Sequence, residues 1–140
     1  MIKRTYVDSN ILIAAFQSDL DTATRALAIL DDASRYFIGS AFIRLETLPK
    51  PRFYGFLHEV AFMQHFLDRC QEYVSIDDFL IQQAEELAAR YDLSPVDALH
   101  VSAALRGTAD EFVTLEKPGK PLCQIKEIKV VSLYALKVKT

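Results

Sequence analysis

Short runs rich in β-branched and aromatic residues alternate along this chain with longer stretches in which apolar residues recur every three or four positions. The short runs are predicted strands at residues 3–7, 36–39, 111–115 and 128–133. The apolar stripe of residues 20–30, between the first two runs, is typical of a helix. Strands that alternate with helices predict an α/β fold with a mainly parallel sheet and helices on both of its faces.

Five further stretches with helical spacing complete this pattern. They lie at residues 10–16, 41–48, 52–70, 80–91 and 93–105, and we expect Pro49 and Pro51 to stop the helix that precedes them. Residues 73–76 fit either a short strand or an extended connector. In open parallel sheets, functional sites gather beyond the carboxyl ends of the strands, at a switch in strand order.

Length and composition limit the class of protein. The 140 residues contain no long linker and predict a single domain spanning residues 1–140, and the 51% hydrophobic and 25% charged residues are typical of a globular protein. No apolar run reaches the ~18 residues of a membrane span. The first ten residues lack the apolar segment of a signal peptide, so we expect a cytoplasmic protein.

Cys70 and Cys123 form no CxxC pair, which argues against a thiolate zinc site or a disulfide framework.

Charge is distributed unevenly along the chain. The net charge is −3, yet residues 117–140 contain six lysines and one acid. Two interpretations remain open. A basic C-terminal edge beside an acidic body could hold a polyanion next to a bound cation. Alternatively, the lysines are solvated residues that prevent aggregation at the edge of the sheet.

The stretch LSPVDALHVSAAL, residues 93–105, places a carboxylate in the first turn of an otherwise apolar helix. A buried carboxylate is costly unless another group pairs with it. Ser94 and Asp97 fit a capping box, in which Asp97 would hydrogen-bond the backbone. Asp97 would also be suited to hold a metal ion, and the two roles are compatible.

Three more acids fall where a site in such a sheet is expected. Asp8 follows the first predicted strand, Glu116 follows the strand FVTL, and Glu46 lies near the end of a short helix after the second strand. Converging carboxylates repel one another unless a cation binds, and oxygen ligands favour Mg²⁺ or Mn²⁺. Two such ions can promote cleavage of a phosphodiester. Each acid also has a structural interpretation: Asp8 as a helix cap, Glu46 as a solvated residue, and Glu116 as the partner of a nearby lysine.

The segments YVDSN, RLE, SPVDALHVSAAL and FVTLE occur in this order. With them, the chain resembles the PIN-domain family, particularly the small VapC-like ribonucleases, over essentially its whole length. The resemblance implies a three-layer α/β/α sandwich around a short, mainly parallel sheet. It also implies cleavage of RNA that depends on Mg²⁺ or Mn²⁺.

Carried onto this sequence, the resemblance implies that Asp8, Glu46 and Asp97 bind metal and act in catalysis. Glu116 takes the place of the fourth acid, which is commonly an aspartate in the family, so its longer side chain would reach a second ion differently. Asn10 and Thr114 match the polar residues that support the acids.

Expected partners follow from the same resemblance. We expect an RNA substrate, with Arg52, Lys117 and Lys120 as candidate contacts, and an antitoxin protein if the chain is the toxin of a toxin–antitoxin pair. The aromatic stripe of residues 53–67 exceeds what a small domain covers, and PIN relatives commonly dimerise. We therefore expect a homodimer that uses this stripe or the helix before it.

Two points remain open from the sequence. His100 lies three residues after Asp97, and we favour a packed or hydrogen-bonded structural residue over the alternative, a contact with the substrate or the acid cluster. The alternative to a nuclease is a catalytically weak or inactive PIN-like module that binds nucleic acid or protein. Metal-dependent RNA cleavage by the purified protein would distinguish the two functions.

Overall fold

A five-stranded sheet with only parallel pairings runs through the computed structural model, which describes residues 2–135. Its strands are β1 (Lys3–Val7), β2 (Arg35–Gly39), β3 (Glu72–Tyr73), β4 (Glu111–Thr114) and β5 (Lys129–Ser132). They lie side by side in the order β3-β2-β1-β4-β5. The predicted α/β fold and parallel sheet are confirmed, and the segment that fitted a strand or a connector forms the short strand β3.

Helices make every connection between the first four strands. The chain passes from β1 to β2 through α1 (Ser9–Gln17) and α2 (Leu20–Leu30), and from β2 to β3 through α3 (Ala41–Thr47), α4 (Pro49–Tyr54) and α5 (Leu57–Arg69). It returns to β4 through α6 (Asp78–Tyr91) and α7 (Pro95–Arg106), and a 3₁₀ turn, Pro121–Gln124, precedes β5. Since crossovers between parallel strands are almost always right-handed, this strand order puts α1 to α5 on one face of the sheet and α6 and α7 on the other.

The region of residues 49–70 differs from the prediction. We expected prolines to stop a helix and residues 52–70 to form one helix, but Pro49 begins α4 directly after α3, and the chain turns at Gly55 before α5. A proline suits the first turn of a helix because its missing N–H group needs no partner there. Gly55 has φ +70°, a left-handed conformation that a glycine adopts at little cost and that ends α4.

The central strands are covered on both faces. Tyr6, Val7, Ile38, Phe112 and Val113 are fully buried, as expected for strands between two layers of helices. Among the described residues, no helix combines the length and the apolar character needed to cross a bilayer.

Strand order reverses between β1 and β4, which are neighbours in space but distant in sequence. Asp8 comes directly after β1, and its N–H group donates to the carbonyl of Val113 in β4 at 2.8 Å. Thr114 is the last residue of β4. The carboxyl ends of these two strands therefore form the crevice in which parallel sheets bind their ligands.

Candidate metal centre

Asp8 is a buried carboxylate at the end of β1. Only 6% of the residue is exposed, and its Oδ2 accepts a hydrogen bond from Oγ1 of Thr114 at 2.9 Å. Burial raises the pKa of Asp8 from 3.8 to about 6. The nearby His100 and the hydrogen bond from Thr114 oppose this rise, whereas the negative charges of Asp97 and Glu46 add to it. A bound cation would offset both the burial and the repulsion.

Thr114 is held in place by the residues around it. Its Oγ1 accepts hydrogen bonds from Nδ2 of Asn10 at 3.3 Å and from the N–H group of Glu116 at 3.1 Å, which leaves its own proton for Asp8. Oδ1 of Asn10 accepts from the N–H group of Leu115 at 3.2 Å. Asn10 and Thr114 thus join the start of α1 to the end of β4 and fix the direction of the Asp8 carboxylate.

Glu46 reaches the crevice from α3. This helix begins at Ser40, whose hydroxyl accepts from the N–H group of Ile43 at 3.4 Å. Oε1 of Glu46 accepts from Oγ of Ser9 at 2.8 Å and lies in hydrogen-bonding contact with Nε2 of His100. The contact with His100 is the main reason that the pKa of Glu46 lies below its usual value.

His100 lies at the junction of these groups, which the sequence did not predict. It is 1% exposed, and its Nδ1 lies 2.6 Å from the hydroxyl of Tyr6, which in turn lies 2.7 Å from Oγ of Ser40. One ligand atom from each of Asp8, Glu46 and His100 lies within 4.8 Å of the others. Ser9 was also missed, although it stands between Asp8 and Asn10 in the sequence.

Asp97 approaches the same cluster from the first turn of α7. Its N–H group donates to Oγ of Ser94 at 3.2 Å, so Ser94 is the cap of this helix. The Asp97 side chain is partly buried, and this burial, with some repulsion from Glu46, raises its pKa. Asp97 and Glu116 line a common groove of about 210 Å³ together with Lys120. Asp8 and Glu46 therefore meet at His100, and Asp97, whose charge acts on both, shares the groove with Glu116.

A family model of the PIN domain matches residues 5–117 of the chain, which is most of its length. The chain belongs to the PIN-domain family. A search of curated proteins finds no match to its sequence.

Two solved structures share the fold of this PIN domain. A toxin–antitoxin complex from Klebsiella pneumoniae contains a chain that superposes with a TM-score of 0.73 at 20% identity, over 94% of this chain and 99% of that one. VapBC2 from Rickettsia felis, bound to a DNA fragment from their promoter, contains a chain with a TM-score of 0.62 at 16% identity, over 94% and 98%. At these identities the likeness shows the fold alone.

The basic residues of the PIN domain lie in different places. Lys120 lies on the groove beside Asp97 and Glu116, whereas the ammonium group of Lys117 lies 5.5 Å from the centre of the Tyr134 ring. Arg52 is exposed in the last turn of α4. Lys129 pairs with Glu111 at 3.2 Å, at the amino ends of the strands and away from the crevice. The basic C-terminal segment therefore does not form one face along the crevice, and Lys137 and Lys139 lie outside the described residues.

The donor set of this crevice fits a divalent cation. Asp8 and Glu46 each accept a hydroxyl proton that points the carboxylate, and each keeps further lone pairs for a ligand. Their oxygens suit Mg²⁺ or Mn²⁺.

Proposed function

We propose that this PIN domain is a metal-dependent endoribonuclease. The observation that carries the proposal is the convergence of Asp8 and Glu46, within 4.8 Å of each other and of His100, at the switch point of a parallel sheet. Asp8 is buried and burial raises its pKa to about 6, so a bound cation would stabilise its charged form. A buried carboxylate with only a structural role would be paired with a basic side chain, as Glu111 is at the amino ends of the strands.

Each acid has a separate part in this proposal. Asp8, Glu46 and Asp97 would hold the first Mg²⁺ or Mn²⁺, and Glu116 would approach a second ion from the groove that it shares with Asp97. The bound metal supplies neutralisation of charge at the phosphodiester and activation of water. Asn10 and Thr114 orient Asp8, and Ser9 orients Glu46, so the acids are placed before substrate arrives.

RNA is the proposed substrate, and a toxin–antitoxin pair is the proposed setting. The setting is supported by the two structural neighbours, which are chains of toxin–antitoxin complexes. Lys120 on the groove is suited to contact a phosphate next to the acids, and Lys117 and Arg52 would bind the strand farther away. A cognate antitoxin protein would then be the partner of this chain.

The substitution Asp97→Asn tests the nuclease proposal. Asparagine keeps the shape of the side chain and leaves the backbone bond to Ser94 in place, but it removes the charge. We expect RNA cleavage in Mn²⁺ or Mg²⁺ to fall by at least ~10²-fold, since a metal contributes several kcal/mol to the transition state. Glu116→Gln should have a smaller effect, because the longer glutamate side chain would reach a second ion differently from the family's aspartate. The measurement is the cleavage rate of a labelled single-stranded RNA.

Asp68→Asn is the matched control, because Asp68 is an exposed acid on α5 that accepts a bond an asparagine can also accept. It should cut RNA at the wild-type rate. Wild-type cleavage by Asp97→Asn, or equal cleavage by the wild type in excess EDTA, would contradict the proposal. No RNA cleavage by the wild type in either metal would favour a PIN-like binding module. Expression of the same variants in a bacterial host extends the test to toxicity: only the wild type and Asp68→Asn should arrest growth.

A further inference from the structure

A line of buried hydrogen-bonding side chains runs from the Glu46 carboxylate into the core. Tyr6 and Ser40 are fully buried, and His100 is nearly so. The Tyr6 hydroxyl lies between Oγ of Ser40 at 2.7 Å and Nδ1 of His100 at 2.6 Å, and Nε2 of His100 contacts Oε1 of Glu46. The proposed function uses the carboxylate at one end of this line and leaves the other three groups without a role.

The direction of these hydrogen bonds follows from the donors available. Oγ of Ser40 accepts from the N–H group of Ile43, so its own proton is free for the Tyr6 oxygen. Tyr6 then donates to Nδ1 of His100, and Nε2 of His100 donates to Glu46. A doubly protonated imidazole also keeps a proton on Nε2. The one remaining form, with a proton on Nδ1 alone, would aim a nitrogen lone pair at a carboxylate oxygen and is repulsive.

We propose that His100 is a positioning residue for the metal site: it donates from Nε2 to Glu46 and holds that carboxylate for the cation, and it is not itself a metal ligand. This inference rests on the proposed function, because it assumes that Glu46 binds metal. Loss of a group that holds a metal ligand in place typically weakens metal binding by roughly 10- to 100-fold. The lowered pKa of Glu46 agrees with a donor at this position.

The other end of the line is anchored to rigid parts of the fold. The Tyr6 ring stacks on Phe112 with centroids 5.4 Å apart and an angle of 18°, so it is fixed between β1 and β4. Ser40 caps α3, the same helix that carries Glu46 near its other end. The line therefore ties the N-cap residue of α3 to the acid on the same helix through β1 and α7. A shift of α3 along its axis would break one of these contacts before it moved the carboxylate far.

Mn²⁺ binding by a set of variants tests this role. His100→Leu removes the donor and keeps an apolar side chain of similar size, whereas His100→Gln offers an amide N–H group in place of Nε2–H. We expect the Mn²⁺ dissociation constant, measured from free Mn²⁺ by electron paramagnetic resonance, to rise at least ~10-fold in His100→Leu. His100→Gln should recover part of this loss. Tyr6→Phe, which removes only the anchor, should weaken Mn²⁺ binding measurably, but less than His100→Leu does.

Ser102→Ala is the matched control, since Ser102 is a buried residue of α7 whose hydroxyl bonds the carbonyl of Leu80, away from the cluster. It should bind Mn²⁺ like the wild type. Pulsed electron paramagnetic resonance of the wild-type complex adds a second readout, because a nitrogen bound directly to Mn²⁺ modulates the signal. We expect no such coupling.

The outcomes separate the two proposals. Wild-type affinity in both His100 variants would overturn the positioning role alone, and so would a nitrogen coupling that disappears in His100→Leu. A wild-type protein that binds no Mn²⁺ would overturn the proposed function and this inference with it. If His100→Leu does not fold, Tyr6→Phe decides, and unchanged Mn²⁺ affinity in that variant counts against the inference.

Discussion

Asp8 weakens the metal-free protein at neutral pH. The pKa of Asp8 is raised by burial from 3.8 to about 6, so the folded state holds this proton more tightly than the unfolded chain. Between these two values a rise in pH favours unfolding, because the folded protein must give up a proton that the unfolded chain has already lost. Below about pH 4 both states are protonated, and above about pH 6 the cost is complete.

Asp8→Asn should therefore stabilise the metal-free protein in a pH-dependent way. The gain in the free energy of unfolding should be near zero at about pH 4 and reach the order of 1–3 kcal/mol above about pH 6, as a shift of this size implies. Urea unfolding in EDTA at several pH values measures it. Added Mn²⁺ should stabilise the wild type and not the variant, since only the wild type binds. A gain that is independent of pH, or larger in acid, would show that burial of the charge is not its cause.

The sequence predicted the placement of some of these residues better than others. Thr114 was found through the resemblance to the PIN family, whereas Asp8 was accessible because it follows an apolar strand, where position along the chain fixes position in the sheet. His100 was not, because an apolar helix with one histidine has the same pattern whether that histidine contacts the core or a carboxylate. Its contact with Glu46 depends on how α3 and α7 approach each other, which no local spacing records.

Glu111 forms ion pairs with residues of three other strands at their amino ends, opposite the metal centre. It begins β4, its side chain is 6% exposed, and it contacts Arg35 of β2 at 3.0 Å, Lys129 of β5 at 3.2 Å and Lys3 of β1 at 3.5 Å. A buried carboxylate that loses its charge leaves its buried partner uncompensated. Arg35 is the most buried of the three cations, so this pair contributes more than an ion pair in water.

Glu111→Gln should lower the free energy of unfolding by about 3 kcal/mol, because breaking a buried ion pair is costly. Urea unfolding at neutral pH measures the loss. The control is Asp21→Asn, which removes an exposed pair with Arg25 on α2 and should cost less than ~1 kcal/mol. RNA cleavage and Mn²⁺ affinity of folded Glu111→Gln should match those of the wild type, since Glu111 lies at the amino ends of the strands and the metal centre at their carboxyl ends. An equal loss of unfolding free energy in Glu111→Gln and Asp21→Asn would mean that the ion pairs of Glu111 contribute no more than an exposed pair.

At the level of elements, the existence of the helices was easier to predict than their limits. The apolar spacing of residues 52–70 continues across Gly55, so periodicity alone indicated one helix. The left-handed turn at Gly55 interrupts it, and Pro49 begins a helix rather than ending one. A proline is disfavoured in the interior of a helix but fits the first turn. The sequence alone does not show whether a given proline ends one helix or begins the next.

For the molecule as a whole, the break at Gly55 divides the aromatic stripe into a buried part and an exposed part. Met63, Phe66 and Leu67 of α5 belong to the core. The side chains around Gly55 stay in contact with solvent: Phe53 is 82% exposed and Leu57 78%, and Tyr54 and Phe56 are more than half exposed. Their rings contact one another, with centroids of Tyr54 and Phe56 5.5 Å apart. A contiguous apolar patch of this kind is typical of a protein interface.

We therefore expect the homodimer to form through residues 53–57. Sedimentation equilibrium at micromolar concentration should give twice the chain mass of 15.9 kDa, and the double variant Phe53→Ser with Leu57→Ser should give the monomer, because it removes the two most exposed apolar side chains of the patch. Leu20→Ser is the control: Leu20 is 84% exposed on α2, and a single exposed leucine outside a patch needs no partner. A monomeric wild type would show that this patch serves another partner or none. A dimer that survives in the double variant would place the interface elsewhere on the molecule.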